Sequence, residues 1–466
     1  MFRKRKILSI IQIIALSAMF FPVLPTKATE QTSAMQNPEK QQISADSGEI
    51  VDGEIIIKYK KSRLDLRKSS GERKVQTLEK EKGLENIDKL KKHNMQLVRA
   101  QGNTQEVLED LHSDPNIEYA EPNYKRKPAA VTTNDPFFST QWGLSKINLP
   151  SAWEHELEGA TQIIVADIDT GSMYDHEDLS VNMWDGSAGC KDYTGAVISG
   201  GCPHHGWDYK DDDNDPYDSS WTDPDSGDRI DGHGTMTSGI IGATLNNSIG
   251  LSSTSHRNNI KVMPIRFGLD TFSEIKAISF AQENGARVIN ASFGGTEYSQ
   301  IEKDFIDSFD GVFVAAAGND GNDNDITPNY PSGYTSSNII SVAASDSNDK
   351  LASFSNYGAT SVDIAAPGAT VRTTYNNSTS TYVYASGTSF AAPFVSSLVA
   401  LLFSQYPSLT SAQNIALVKD YGQTLPDSND AEKLATGKRI DAHASIAQII
   451  PEDTTAPSLP PGLSVE

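Results

Sequence analysis

From Asp135 onward the chain alternates short apolar runs with helical segments, and that rhythm leaves few folds open. Ile163 to Ile168, Lys261 to Phe267, Arg287 to Ser292, Val312 to Ala316 and Asn338 to Ala343 are strand-like runs rich in Val, Ile and Ala. His233 to Thr244, Phe272 to Asn284, Gln300 to Phe309 and Ser389 to Gln405 have helical length and composition. Strands buried on both faces read as near-continuous apolar runs, because helices cover each side of a parallel sheet. The order therefore predicts an α/β unit with a parallel sheet flanked by helices. Such sheets carry their chemistry at the carboxyl ends of the strands, where Asp169 and Ser292 fall.

Residues 50–128 have a different rhythm. Glu54 to Lys60 is strand-like, Glu72 to Lys82 a charged helix, and Met95 to Ala100 alternates as a strand. Thr104 to His112 is a short helix carrying Val107, Leu108 and Leu111, and Asn116 to Tyr124 is strand-like again. The order predicts a small α+β sandwich of the ferredoxin-like kind.

The ends of the chain are not fold-forming. Arg3-Lys4-Arg5-Lys6 precedes an apolar stretch, Ile7 to Leu24, interrupted by Ser9, Gln12, Ser17 and Pro22, and Thr26-Lys27-Ala28 offers a small-residue cleavage site. Residues 1–28 read as an export signal. An uncleaved anchor is the alternative, which the polar interruptions and Pro22 disfavour. Residues 29–49, rich in Gln, Ser and Glu, read as a flexible spacer. No later stretch reads as a membrane span, so the mature protein is expected to be secreted, without stable membrane association. Residues 451–466 shift to a Pro-rich composition that resembles a linker and the first strand of a fibronectin type III module; a disordered tail is the alternative.

Between Ala129 and Glu466 there are 16 Lys and Arg against 43 Asp and Glu, a net charge of −27. That balance argues against nucleic acid as a partner. The two cysteines, Cys190 and Cys202, share one loop. In an exported chain the pair reads as a disulfide, stabilising by about 3 kcal/mol on the chain-entropy account. A zinc site using His204 and His205 is the rival, although adjacent histidines lack the usual ligand spacing.

Three short motifs carry the chemistry. Asp169 lies in Ile168-Asp169-Thr170-Gly171, His233 in Asp231-Gly232-His233-Gly234-Thr235, and Ser389 in Gly387-Thr388-Ser389-Phe390-Ala391-Ala392-Pro393. A serine hydroxyl is a poor nucleophile at neutral pH. It needs an imidazole to take its proton and a carboxylate to fix the tautomer and stabilise the imidazolium. A serine at a helix start is ordinarily only an N-cap; what raises Ser389 above that is the co-occurrence of the three motifs in the order Asp, His, Ser. Pro393 is expected in the first helical turn, where a missing N–H costs nothing. In these residues the chain resembles the subtilisin-like serine proteases, from about residue 50 to about residue 450.

The resemblance implies a subtilisin-like fold for residues 129–450 and a catalytic set of Asp169, His233 and Ser389. Residues 50–128, ending in Asp114-Pro115-Asn116-Ile117-Glu118-Tyr119-Ala120-Glu121-Pro122-Asn123-Tyr124, would be a propeptide that chaperones folding and inhibits the enzyme until self-cleavage between Lys125 and Asn134. Asn319, closing Val314-Ala315-Ala316-Ala317-Gly318-Asn319, matches the oxyanion-hole amide. Asn290-Ala291-Ser292-Phe293-Gly294-Gly295 resembles the substrate-binding strand, with Ser292 and Gly294 offering backbone groups. Asn329-Tyr330-Pro331 resembles the lining of the specificity pocket, which shows no charge at its base and implies a preference for apolar or aromatic side chains.

Calcium is the implied cofactor. The loop Leu245 to Leu251 is similar to the family's calcium loop, with the Asn247 side chain and the carbonyls of Leu245, Ile249 and Leu251 as ligands, joined by Asp178 and Asp135. A second loop, Gly206 to Pro216, points to Asp208, Asp213 and Asp215; a solvated acidic loop explains it equally well. Two residues depart from the family pattern. Met236 stands where a second histidine is usual, and Asp167 where an aliphatic residue is usual. Asp167 shares a strand face with Asp169, and a buried pair of carboxylates raises one pKa.

The expectation is a calcium-stabilised endopeptidase, a monomer that cleaves protein or peptide substrates through an acyl-enzyme and takes its own propeptide as chaperone and inhibitor. A catalytically dead adhesive protein and a narrow-specificity peptide processor are the rivals.

Overall fold

The computed structural model describes residues 50–124, 132–155, 160–219, 221–222, 229–254 and 257–449. The export signal, the spacer, the stretch 125–131 and the segment 451–466 lie outside the described residues. The chain divides into two compact units, Met1–Pro128 and Ala129–Glu466.

In the first unit β1 (Ile50–Tyr59), α1 (Ser69–Glu81), β2 (Leu84–Leu90), β3 (Met95–Ala100), α2 (Thr104–His112) and β4 (Ile117–Tyr124) follow one another. The sheet has the order β2-β3-β1-β4 and its pairs are antiparallel, the ferredoxin-like arrangement. Its core sets Ile55, Ile57, Tyr59 and Val98 of the sheet against Val75, Leu78, Leu108 and Leu111 of the helices. The strand β2 has no counterpart in the sequence expectation. It is an edge strand whose Leu-Glu-Asn-Ile-Asp-Lys-Leu is mostly exposed. Main-chain pairing with β3 holds it rather than a buried alternation.

In the second unit α3 (Trp142–Lys146) and α4 (Leu149–Trp153) precede β5 (Ile163–Asp169), β6 (Trp207–Asp208), α5 (His233–Gly242), β7 (Ile260–Arg266), α6 (Thr271–Glu283), β8 (Val288–Ala291), α7 (Gln300–Ser308) and β9 (Val312–Ala316). Then come β10 (Ile339–Ser345), β11 (Ile364–Pro367), the hairpin β12 (Val371–Tyr375) and β13 (Thr381–Ala385), and α8 (Thr388–Gln405). The chain closes with α9 (Ser411–Asp420), β14 (Gln423–Thr424), α10 (Ser428–Ala431), β15 (Lys438–Arg439) and α11 (Ala442–Ala447). The sheet runs β14-β15-β11-β10-β9-β8-β5-β7-β6. It is parallel from β15 to β6, with β14 added antiparallel at the edge.

Strand alternation sorts the two faces. Ile163 and Val165 of β5 pack with α5 and α8, whereas Ala166 and Ile168 pack with α6 and α7. Caps set where the outer helices begin: Asp270 accepts from the Phe272 and Ser273 amides at α6, and Ser299 from the Glu302 amide at α7. All 18 residues of α8 are buried. By length and composition α8 could cross a membrane, contrary to the sequence expectation, but it is the central core helix, buried along its whole length.

One sequence expectation is corrected here. Because α8 begins at Thr388, Pro393 lies in its second turn rather than its first. A residue there would normally donate to the carbonyl four residues back, that of Ser389. The proline leaves that carbonyl free, and the Ser292 hydroxyl donates to it at 2.8 Å.

Candidate active site

Asp169 ends β5 and His233 begins α5, so the carboxyl edge of the sheet meets a helix start. His233 Nδ1 lies 2.8 and 2.9 Å from the two Asp169 oxygens. A carboxylate only accepts, so Nδ1 carries the hydrogen and Nε2 is left as the basic nitrogen. The Asp169 side chain is 3 % exposed and the imidazole 29 %. The approach requires Gly234, where a Cβ would stand 2.1 Å from the Gly171 carbonyl oxygen and 3.0 Å from Asp169 Cβ. Burial pushes the imidazole pKa down, but the charge and hydrogen bond of Asp169, helped by the charges of Asp167 and Asp218, outweigh it. His233 therefore titrates above its ordinary value.

Ser389 is the second residue of α8 and is 8 % exposed. Its hydroxyl donates to the Ser292 carbonyl at 3.0 Å, while Ser292 Oγ donates to the Ser389 carbonyl at 2.8 Å. The nucleophile candidate is thus parked on Ser292 and makes no hydrogen bond to His233. The imidazole nevertheless stands beside the helix start, its ring centroid 5.4 Å from that of Phe390. Asn319 follows β9. Its Oδ1 accepts from the Thr388 amide at 2.8 Å and from Thr388 Oγ1 at 3.0 Å, which fixes the amide so that its NH2 is the outward donor. The N-terminus of α8 adds partial positive charge at the same place.

Gly295 and Tyr330 exchange backbone hydrogen bonds of 2.8 and 2.7 Å, which ties the candidate substrate strand to the Asn329 segment. A Cβ on Gly294 would meet Asn329 Nδ2 at 2.5 Å and the Tyr330 carbonyl oxygen at 3.0 Å, so a side chain there would displace Asn329. A cleft of about 360 Å³ opens over Asp169, His233, Met236, Phe267, Ser292 and Phe293. Met236 contributes apolar lining where a second imidazole was the family expectation.

Asp178 is completely buried and takes the Asn247 amide at 2.9 Å and the Leu251 N–H at 2.7 Å. Asp135 takes the Asn247 N–H at 3.1 Å, the Asn246 N–H at 2.9 Å and Ser252 Oγ at 3.0 Å. The loop Leu245 to Leu251 therefore closes around two carboxylates. Burial pushes Asp178 up to about 7, and the donors that reach it are neutral. Among the described residues no three His, Cys, Asp or Glu side chains converge. The two carboxylates are of the kind that suits a hard cation, although Asn247 here turns its Nδ2 to Asp178 while its Oδ1 accepts from the Ile249 N–H at 2.8 Å.

The second acidic loop is built differently from the expectation. Asp208 Oδ1 accepts from the Lys210 and Asp211 amides at 2.7 and 3.0 Å, and Oδ2 from Arg266 Nη1 at 2.8 Å. The same guanidinium reaches Asp211 at 2.8 Å and is 4 % exposed. Asp213 caps the Asp215 amide at 2.9 Å, and Asp215 accepts from Tyr174 OH at 2.7 Å. These carboxylates do not converge on a cation; an arginine within the chain neutralises Asp208. Cys190 and Cys202 form a disulfide, which removes the zinc alternative. His204 and His205 instead contact Tyr174 OH and the Trp184 carbonyl.

Sequence reasoning missed two residues. Arg266 was visible as one of two basic residues, with Lys261, in an otherwise apolar strand of an acidic unit. Asp218 is buried and accepts from the Gly232 amide at 2.9 Å, the Thr235 amide at 3.1 Å and Thr235 Oγ1 at 2.6 Å, closing the start of α5. Nothing local separates it from the exposed aspartates before it.

Residues 160–434 match the subtilase family, peptidase S8, and residues 36–123 match the fervidolysin N-terminal prodomain. The chain is 34% identical over 406 residues to the thermophilic serine proteinase of a Bacillus species, spanning 84% of this chain and 88% of that protein. It is 38% identical over 281 residues to thermitase of Thermoactinomyces vulgaris, spanning 59% and 86%. A solved protease of Pseudoalteromonas arctica superposes with a TM-score of 0.55 at 28% identity, over 68% of this chain and 99% of that one. With most of its length matched in this way, the chain belongs to the subtilase family and is a subtilisin-like serine protease with its own N-terminal prodomain.

Proposed function

We propose that Asp169, His233 and Ser389 are the catalytic residues of a secreted endopeptidase. The observation that carries this reading is the Asp169–His233 contact beside the start of α8. Turning Ser389 about χ1 from the Ser292 carbonyl to His233 Nε2 engages the relay, and catalytic hydrogen bonds commonly tighten only with substrate bound. His233 then takes the hydroxyl proton as Ser389 attacks the scissile carbonyl, and Asp169 stabilises the imidazolium. The Asn319 NH2 and the Ser389 N–H meet the oxyanion. His233 returns the proton to the leaving amine, and water hydrolyses the acyl-enzyme. Substrate pairs as an extended strand along Ser292 to Gly294, which accommodates many sequences.

His233 must be neutral to accept a proton. With its pKa raised, kcat/KM on denatured casein should fall as pH drops through a midpoint above 6.5 and be full on the alkaline side. No hydrolysis at any pH, or an acid limb down in the carboxylate range, would contradict the assignment.

Residues 1–28 act as the export signal, residues 50–128 as inhibitor and chaperone removed by self-cleavage between Lys125 and Asn134, and the mature enzyme is a monomer. Asp135, Asp178, Asn247 and the carbonyls of Leu245, Ile249 and Leu251 would hold one calcium, which offsets the buried Asp178 charge. Free ion at about 100 times its Kd adds about 2.7 kcal/mol. Chelation should therefore lower the melting temperature by several degrees, at about 2–4 °C per kcal/mol for a large domain. Calorimetry on a Ser389→Ala protein avoids autolysis, and a melting curve indifferent to chelator would remove the calcium site.

A further inference from the structure

Asp167 is 1 % exposed, lies on the β5 face that carries Asp169, and is unused by the relay. Its surroundings form a hydrogen-bond chain that runs from α8 to α5, in which Thr237 Oγ1 and Ser396 Oγ also lie 3.0 and 3.2 Å from the Gly234 and Ala392 carbonyls. Pro393 denies the Ser389 carbonyl a helical donor, and Ser292 Oγ supplies one at 2.8 Å. The single Ser292 proton is thereby committed, so Ser292 Oγ can only accept from Asn290 Nδ2, at 2.9 Å. Asn290 Oδ1 accepts from Ser396 Oγ of α8 at 2.9 Å, which fixes the amide orientation. Its second N–H goes to Asp167 Oδ1 at 2.9 Å. Asp167 Oδ2 receives Thr237 Oγ1 and Ser238 Oγ of α5, each at 2.8 Å. Asn290, Thr237, Ser238 and Ser396 are all fully buried, so water cannot replace a missing partner.

We propose that Asp167 is a positioning residue, the shared acceptor that couples the helix bearing His233 to the helix bearing Ser389 through Asn290 and Ser292. Every group that reaches it is a donor, so an aliphatic residue at this position would leave the Asn290 amide and the Ser238 hydroxyl unpaired. Asn290 would keep its bonds to Ser396 and Ser292 but lose its tie to α5 through Asp167, so the link between the two helices would break at that point. The two helix starts would drift by fractions of an ångström. Misplacement on the ångström scale costs up to about 100-fold in rate without touching chemistry directly. The inference rests on the catalytic roles proposed above.

The test is a double-mutant cycle with separate kcat and KM. Asp167→Asn keeps the shape but turns an N–H toward one of the donors. It should lower kcat about tenfold while KM stays within about twofold. Ser292→Ala breaks the same chain at another link, so the double variant should be no slower than the slower single variant. Effects that multiply, or a kcat within twofold of wild type for Asp167→Asn, would overturn the role. If Asp167→Asn does not fold, Ser238→Ala replaces it in the cycle, with a smaller loss of about threefold and the same non-additivity expected; multiplied effects would again overturn the role. Fluorophosphonate labelling of wild-type Ser389, measured alongside, separates the two failures. No labelling would sink the catalytic assignment itself, whereas labelling with independent effects would sink only the role of Asp167.

Discussion

Ser389→Ala should lower kcat about a million-fold and leave the N-terminal prodomain covalently attached. The magnitude is that of nucleophile removal in subtilisin, a member of the same family. The direction is local. Ser389 is the residue whose hydroxyl sits at the start of a buried helix beside an imidazole, and alanine offers no other atom to bond the acyl group. Folding should be unaffected, because the hydrogen bond lost, to the Ser292 carbonyl, is worth only about 1 kcal/mol. Intact-mass measurement of the purified variant reads the outcome. A variant that processes itself normally would mean that another protease cuts the prodomain. A loss of only tenfold would mean that Ser389 is not the nucleophile.

Asn319→Ala should lower kcat by about 100- to 1000-fold at nearly constant KM, again a magnitude set by subtilisin. The expectation is specific because Thr388 holds the amide by its oxygen, through both its N–H and its hydroxyl. On the proposed role, that grip leaves the NH2 to meet a developing negative charge, which exists in the transition state and not in the bound ground state. Asn319→Asp sharpens the point. It keeps an oxygen for Thr388 but replaces the donor with a second carboxylate oxygen, so it should be slower than the alanine variant. An aspartate variant faster than alanine, or a loss that appears in KM rather than kcat, would place the oxyanion elsewhere.

Much of the second unit was legible because its strands are buried on both faces. Val312 to Ala316 carries no polar residue and reads as a strand with the bounds that the structure shows. The motif residues were legible because glycine and threonine punctuate them, and Gly234 is required by contact with Gly171. Where burial is one-sided or absent, the signal fails. The strand β2 is charged and exposed, and β14 and β15 are two residues each. Pro393 lies past the first turn from either the expected start, Ser389, or the observed one, Thr388; what composition does not show is the Ser292 hydroxyl that replaces the missing helical donor. Arg266 could not be matched to Asp208 before β6 and β7 were seen to pair, since 58 residues separate them. The Asp167 chain was hidden for the same reason. Asp167 stood out as a departure from the family pattern, but its partners come from α5, β8 and its end, and α8, and nothing in the sequence pairs them with it.

The most direct measurement is the site and stoichiometry of fluorophosphonate labelling in the mature enzyme, mapped by peptide mass spectrometry. A single adduct per chain, on Ser389, formed faster as pH rises through the His233 midpoint and lost in His233→Ala, is the predicted result. An adduct on another residue, or labelling of Ser389 that is indifferent to removal of His233, would contradict the relay on which the functional account depends.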